Sequence, residues 1–296
     1  MTDPGATAVA GGLRVLRPAD AAEAQRLREA DPAGTAFVGG GTALQLGCAD
    51  ATPALRLLAV DRLAAAQGWQ RVDEGGRPWL RLGAALRLEA LRRDPALRQA
   101  LPLLAAACDT LAAPGVRHLA TLGGNVGWRW GDTLAPLLAL GAEAELADGR
   151  RRPLAALLAA APLPLVVALW LPGPAAAPRR AVYEKVGRRA AFSPARLALA
   201  LWQPAGGTLR LAACGAGWVA RRLSATEAVL AAGLAPGAAA LQPACRADLD
   251  GDAALGRLAA RLIAGHLGLG AGPADPPAAP GAANAAAASG AAAGPG

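Results

Sequence analysis

Two glycine-rich stretches carry the residue types with which a backbone can hold a charged ligand. Thr121-Leu122-Gly123-Gly124-Asn125 offers consecutive N–H groups, and its two glycines have no Cβ to block an approaching phosphate or carbonyl oxygen. Asp132 follows and can cap a helix over Thr133 to Leu140, or accept hydrogen bonds from a ribose. Taken alone, the stretch reads more simply as a tight turn capped by Asp132. The second stretch, Phe37-Val38-Gly39-Gly40-Gly41-Thr42-Ala43-Leu44, closes a short strand from Thr35 to Val38. Its Gly39-x-Gly41 partly matches the dinucleotide fingerprint of the Rossmann fold. Leu44 stands where the third glycine belongs, and Asp61 lies roughly twenty residues on, where a ribose acid is expected. A plain strand-to-helix turn explains the same residues.

Together the two loops resemble those of the FAD-binding subunit of the molybdenum hydroxylases, the xanthine dehydrogenase and carbon monoxide dehydrogenase family. Members carry a segment like A-G-G-T-D-L near the start and a later one like R-N-x-A-T-I-G-G-N; here these are Val38 to Leu44 and Arg117 to Asn125. The likeness runs from about Leu13 to Gly233. It implies an α+β chain with an FAD-binding fold of the PCMH/VAO type, in which two α/β subdomains enclose FAD and a C-terminal α+β subdomain follows.

The same resemblance implies which residues meet the cofactor. Phe37, Val38, Gly39, Gly40, Gly41, Thr42, Ala43 and Leu44, with Thr121, Leu122, Gly123, Gly124 and Asn125, would hold the pyrophosphate. Leu111 would lie over the flavin, and Val166 would line the site. Asp132 would bind a ribose or ribityl hydroxyl. Tyr183 would lie on the ring, and Lys185 beside its pyrimidine edge, where a cation favours reduced, anionic flavin. Four features depart from the family pattern. Ala43 replaces an acidic or hydroxyl residue. The span from Asn125 to Asp132 is short and carries Trp128 and Trp130. The segment before Leu165 is also short, and Ser193-Pro194 stands where an aspartate is common.

Composition narrows the classes. A chain of 296 residues can bury a large core and form two or three subdomains. Cys48, Cys108, Cys214 and Cys245 are far apart, with no C-x-x-C pair, which argues against a cluster or zinc site and for reduced core thiols in a cytoplasmic protein. The net charge of +8 is spread over dispersed arginines with 3% aromatics, so nucleic-acid binding is not indicated. No secretory leader is visible, and the apolar run Leu154 to Leu171 is broken by Pro162 and Pro164, so no membrane span is expected. Neither paired carboxylates nor a Ser/His/Asp set can be assembled, which suits a chain that holds a cofactor and leaves the redox chemistry to it. By resemblance, the expected function is an electron-transfer subunit. It would work with a large molybdopterin-binding subunit and a small [2Fe-2S] subunit, and pass electrons to NAD, oxygen or a quinone. The alternatives are a Rossmann-type NAD-binding oxidoreductase and a scaffold that has lost flavin.

The elements that must position these residues follow from periodicity. Residues 1–12 read as a disordered start, 13–60 as a first FAD-binding subdomain, 61–174 as a second, 178–268 as the C-terminal subdomain and 269–296 as a disordered Ala/Gly/Pro tail. Asp20 and Glu23 have capping-box spacing before a helix that ends near Ala30. Apolar residues at Leu97, Leu101, Leu104, Cys108 and Leu111 predict one amphipathic helix from Ala96 to Ala112. Strands are expected at Leu13–Leu16, Trp79–Leu82, Glu143–Leu146, Leu165–Leu171, Leu197–Trp202 and Leu209–Cys214. Ser224 to Glu227 should open a capped helix, and a last helix should span about Asp252 to Leu267.

Overall fold

The computed structural model of the chain describes residues 7–8, 13–47, 56–159, 162–173, 177–189, 193–234 and 237–270. Cys48, most of the expected disordered start and nearly all of the Ala/Gly/Pro tail lie outside the described residues.

The chain begins with β1 (Thr7–Ala8), β2 (Arg14–Leu16), α1 (Ala21–Ala30), β3 (Thr35–Val38), α2 (Thr42–Gly47) and β4 (Arg56–Ala59). These make a sheet of order β1-β2-β4-β3 in which β2, β4 and β3 run parallel. The predicted cap of α1 is present: Asp20 Oδ1 accepts the Glu23 N–H at 2.8 Å, and Glu23 reaches back to the Ala19 N–H at 2.6 Å. Placing β4 between β2 and β3 leaves the carboxyl end of β3 free to deliver the first glycine loop.

The middle of the chain builds β5 (Trp69–Glu74), β6 (Arg77–Gly83), α3 (Leu88–Arg93), α4 (Pro95–Ala100), α5 (Pro102–Thr110), α6 (Pro114–Leu119), α7 (Leu122–Gly127) and α8 (Leu134–Leu140). It continues with β7 (Glu143–Leu146), β8 (Arg151–Pro153), α9 (Leu154–Ala159) and β9 (Val166–Pro172). The strands form an antiparallel sheet of order β5-β6-β9-β7-β8. A doubly wound Rossmann domain would continue its parallel sheet here, so the topology sets that reading aside. The single helix expected from Ala96 to Ala112 is two helices. Pro102 disfavours helical backbone at the preceding residue, and Leu101 leaves the helix at φ −131°, ψ 60°.

The last part contains β10 (Arg180–Gly187), β11 (Ala195–Gln203), β12 (Arg210–Gly215) and β13 (Trp218–Arg222), an antiparallel meander in chain order. It is followed by α10 (Ser224–Ala231), α11 (Ala238–Asp248) and α12 (Ala253–Leu267). Helix α11 was not expected; Pro243 inside it hides the pattern. Nor is α10 capped by Ser224. The Asp248 carboxylate at the end of α11 takes the N–H groups of Ala225 and Thr226 at 3.0 and 2.8 Å.

Sheet β10–β13 carries helices on both faces, and β11 shows how. Ala198 and Ala200 belong to the central core, while Leu197, Leu199 and Leu201 belong to the core under α11 and α12. The small residues let α8 lie close against the sheet. Every residue of α8 is buried, as expected of a helix apolar all round. In the register of β10, Tyr183 pairs with Ala200 and Lys185 with Ala198. Both side chains therefore belong to the face that meets the central core.

Candidate functional site

The two glycine loops meet. A Cβ on Gly40 would lie 1.8 Å from the Leu119 carbonyl oxygen, and one on Gly39 would lie 2.4 Å from Thr121 Oγ1. Glycine is required there because the second loop is packed against the first, a reason the sequence alone did not show. Gly41 sits at φ +71°, the left-handed region, and turns the chain into α2. Among the described residues no acceptor takes the N–H groups of Gly39, Gly40 or Gly41, so these donors are open.

The second loop is different. Leu122 N–H donates to Leu86 O, Gly123 N–H to Ala84 O at 2.7 Å, Gly124 N–H to Thr121 Oγ1 at 3.1 Å and Asn125 N–H to Thr121 O. Its expected row of open donors is thus engaged in capping α7 and bonding it to the segment after β6. Leu122 is fully buried, and Gly123 presses on Ala84, whereas Gly124 is exposed. Asn125 Oδ1 accepts from the Thr133 N–H at 3.1 Å and hydroxyl at 2.6 Å, fixing the short connection to α8.

That connection places Asp132 away from the capping role: the N-cap of α8 is Thr133, and no side chain caps the helix. Asp132 Oδ2 instead accepts from Lys185 Nζ at 2.6 Å, and Nζ also donates to Thr110 O at 3.3 Å. Burial pushes the Asp132 carboxyl above its usual range, and the Lys185 charge pulls it part of the way back. The Tyr183 hydroxyl is buried close to Thr110 without a hydrogen bond of ordinary geometry. Burial first, then the Asp132 charge, holds it well above the usual phenol range. Leu111 is buried at the end of α5. Val166 opens β9, next to Leu165, whose N–H reaches Gln25 Oε1 of α1. Phe37 and Val38 are half-buried on β3, and Leu44 is exposed on α2.

Sequence reasoning missed the arginines that hold these pieces. Arg87 pairs with Asp61 at 3.0 Å and donates to the Leu119 carbonyl, the group that touches Gly40. Asp61 is therefore engaged by a guanidinium rather than poised as a ribose acid. Arg117 pairs with buried Glu89 at 2.7 Å and donates to the carbonyls of Leu111 and Ala112 at 2.8 and 2.6 Å. Ala112 has φ +46°, an unfavourable value for alanine that these bonds hold in place. Arg92, Arg117 and then Arg93 surround the Glu89 carboxylate and hold it far below the usual range. These partners are 26 to 28 residues apart, and no local spacing marks them.

The arrangement is a pair of contacting glycine loops joined through α7 to a buried ion pair. Residues 9–163, just over half the chain, match the family of FAD-binding domains in molybdopterin dehydrogenase. The chain belongs to that family. Its cofactor is FAD, and its domain is that of an oxidoreductase, a molybdopterin dehydrogenase. Solved structures agree on the fold. A chain of carbon monoxide dehydrogenase from Hydrogenophaga pseudoflava superposes with a TM-score of 0.70 at 24% identity, covering 88% of this chain and 98% of that one. Reconstituted CO dehydrogenase from Oligotropha carboxidovorans gives 0.72 at 21% identity, with the same coverage. Quinoline 2-oxidoreductase from Pseudomonas putida 86 gives 0.65 at 17%, covering 86% of this chain and 95% of that one. No curated protein matches the sequence. The open donors of Gly39 to Gly41 at the end of a parallel strand fit a pyrophosphate. Among the described residues no helix is long and apolar enough to cross a membrane, and no three His, Cys, Asp or Glu side chains are grouped to hold a metal.

Proposed function

We propose that this subunit carries FAD between two partner chains and an external electron acceptor. Electrons would arrive from the [2Fe-2S] clusters of a small subunit, which receives them from a large molybdopterin-binding subunit. They would leave to NAD, oxygen or a quinone. The observation that carries this reading is the direct contact of the first glycine loop with the second, made at residues that lie about 80 positions apart. The contact sets the open N–H groups of Gly39 to Gly41 against a second loop whose own donors are engaged, so the first loop would supply the donors to a pyrophosphate and the second a fixed glycine wall beside them. FAD, when bound, supplies the exchange between two-electron and one-electron chemistry.

The chain's own residues would do the holding. Gly39, Gly40 and Gly41 would donate to the pyrophosphate, with the start of α2 contributing partial positive charge. Thr121, which lies against Gly39, keeps α7 capped, and Gly124 is exposed at the start of that helix. Leu111, Val166 and Tyr183 would form apolar surface for the ring, and Lys185 would stand at its pyrimidine edge. The buried thiols take no part: burial pushes Cys108 up to about 12 and Cys214 higher still.

The test is equilibrium uptake of FAD, FMN and NAD by the purified chain and by Gly124→Val. Gly124 is exposed, but a Cβ there would come 2.9 Å from the Thr121 hydroxyl that caps α7, so Gly124→Val is read beside Thr121→Val, which loses the cap without adding bulk at Gly124. The wild type should bind one FAD and neither of the others, and Gly124→Val should lose FAD while keeping its circular dichroism. A variant that fills with FAD as the wild type does would remove the second loop from the site. In a complex with both partners, adding the holoenzyme's reductant should bleach the flavin; unchanged flavin absorbance would overturn the electron-transfer role.

A further inference from the structure

We propose that Asp132 acts on the flavin site through Lys185, as its positioning and charge-compensating partner, so that the ring's neighbour is a buried ion pair and not a free cation. The inference rests on the preceding reading that Lys185 stands beside the flavin. The two side chains are only 12% and 11% exposed and 2.6 Å apart, in contact through Asp132 Oδ2. Lys185 is the one lysine of the sequence, and its ammonium joins three segments that are remote in the chain: β10, the connection before α8, and the end of α5. Asp132 is oriented in turn. Gly131 lies against Asn125, where a Cβ would come within 2.3 Å of Oδ1, and Thr133 is bonded to that same oxygen. The residues on either side of Asp132 are thus fixed by the last residue of the second glycine loop. From there the carboxylate meets Lys185 on β10.

Such a pair has a consequence for redox chemistry. A lone ammonium would favour the anionic reduced flavin strongly, because its field is little screened in a dry site. A carboxylate at hydrogen-bond distance cancels most of that field at the ring, and what remains depends on the orientation of the dipole. Each partner then controls the potential in the opposite sense. A bond that serves only to tie β10 to the α8 connection would not have this property.

The experiment measures the midpoint potential of bound FAD in Asp132→Asn, Lys185→Met and the double variant, alongside the thermal stability of each protein without flavin. Asp132→Asn frees the ammonium and should raise the potential; Lys185→Met should lower it. The double variant should return close to the wild type, because the two single effects are opposite in sign and cancel. Each single change should alter the ratio of affinities for reduced and oxidised FAD by roughly fivefold or more. Asp132→Glu retains the charge and should restore the wild-type potential; a Glu variant that behaves like Asn would overturn the proposal. So would single variants that keep the wild-type potential while losing only stability, since the pair would then be structural. A wild-type protein that takes up no FAD would instead overturn the function on which the inference rests. In that case the flavin-free stabilities would still report whether Asp132 and Lys185 are coupled.

Discussion

Glu89 shows how one side chain can organise a loop it never touches. The residue is 2% exposed, its carboxylate is bonded to Arg92, Arg93 and Arg117, and Arg117 carries the restraint on to the carbonyls of Leu111 and Ala112. Glu89→Ala would leave the buried Arg117 guanidinium without its partner, and a loss of about 3–5 kcal/mol of stability is expected in chemical denaturation. The pH dependence has a definite sign. The folded-state pKa is depressed well below the unfolded value of about 4.3, so the stabilisation is present above that value. It is lost as pH falls from there toward the folded-state pKa. Glu89→Gln should therefore remove part of the wild-type protein's acid sensitivity below about pH 4.3. Denaturation curves at neutral and acid pH measure both effects, and equal acid slopes in the two proteins would contradict the assignment.

Among the elements, the short helices depend on partners outside themselves. Helix α7 has six residues, too few to persist alone, and holds through the Thr121 cap and the bonds of Leu122 and Gly123 to Leu86 and Ala84. Helix α10 depends on Asp248, which binds two of its first N–H groups and the Thr226 hydroxyl at 2.8 Å. Asp248→Ala should lower stability by about 1–2 kcal/mol, the range for a lost cap. It should leave FAD content unchanged, because α10 packs on the face of the β10–β13 sheet opposite the site. Thermal unfolding and the flavin-to-protein absorbance ratio test the two halves of that statement separately; loss of flavin would mean that the two faces of the sheet are coupled.

At the scale of the whole molecule, FAD lies by this reading where the first sheet's glycine loop meets the helical layer of the middle sheet, so its binding ties separate parts of the fold together. A ligand that binds only the folded state stabilises it by RT ln(1 + [L]/Kd), about 2.7 kcal/mol at a hundredfold excess over Kd. Unfolding midpoints should rise with FAD concentration accordingly, and not with FMN. All the flavin should be released on denaturation, since the proposal includes no covalent attachment. Colour retained on the precipitated protein would contradict noncovalent binding, and a midpoint indifferent to FAD would contradict binding between parts of the fold.

The sequence by itself determined the features that depend on neighbours along the chain. The capping box of α1, the strand and turn from Glu143 to Gly149, and the last helix from Asp252 follow from spacing a few residues long, and the structure contains them. The glycine loops and the family were legible because Gly39 to Gly41 and Gly123-Gly124 stand in recognisable order. Pro102 was equally local, yet the apolar periodicity across it concealed the break between α4 and α5. What the sequence could not express were pairings whose free energy comes from burial in three dimensions. Gly40 against Leu119, Arg87 with Asp61, Arg117 with Glu89 and Asp132 with Lys185 join residues 26 to 79 positions apart. Each could have been a solvated side chain or an ordinary turn. The tertiary structure makes the contacts decisive, by withdrawing water from both partners of the Arg117–Glu89 and Asp132–Lys185 pairs and by crowding the backbone at Gly40: a buried charge or a crowded backbone must be matched there, and at the surface it need not be.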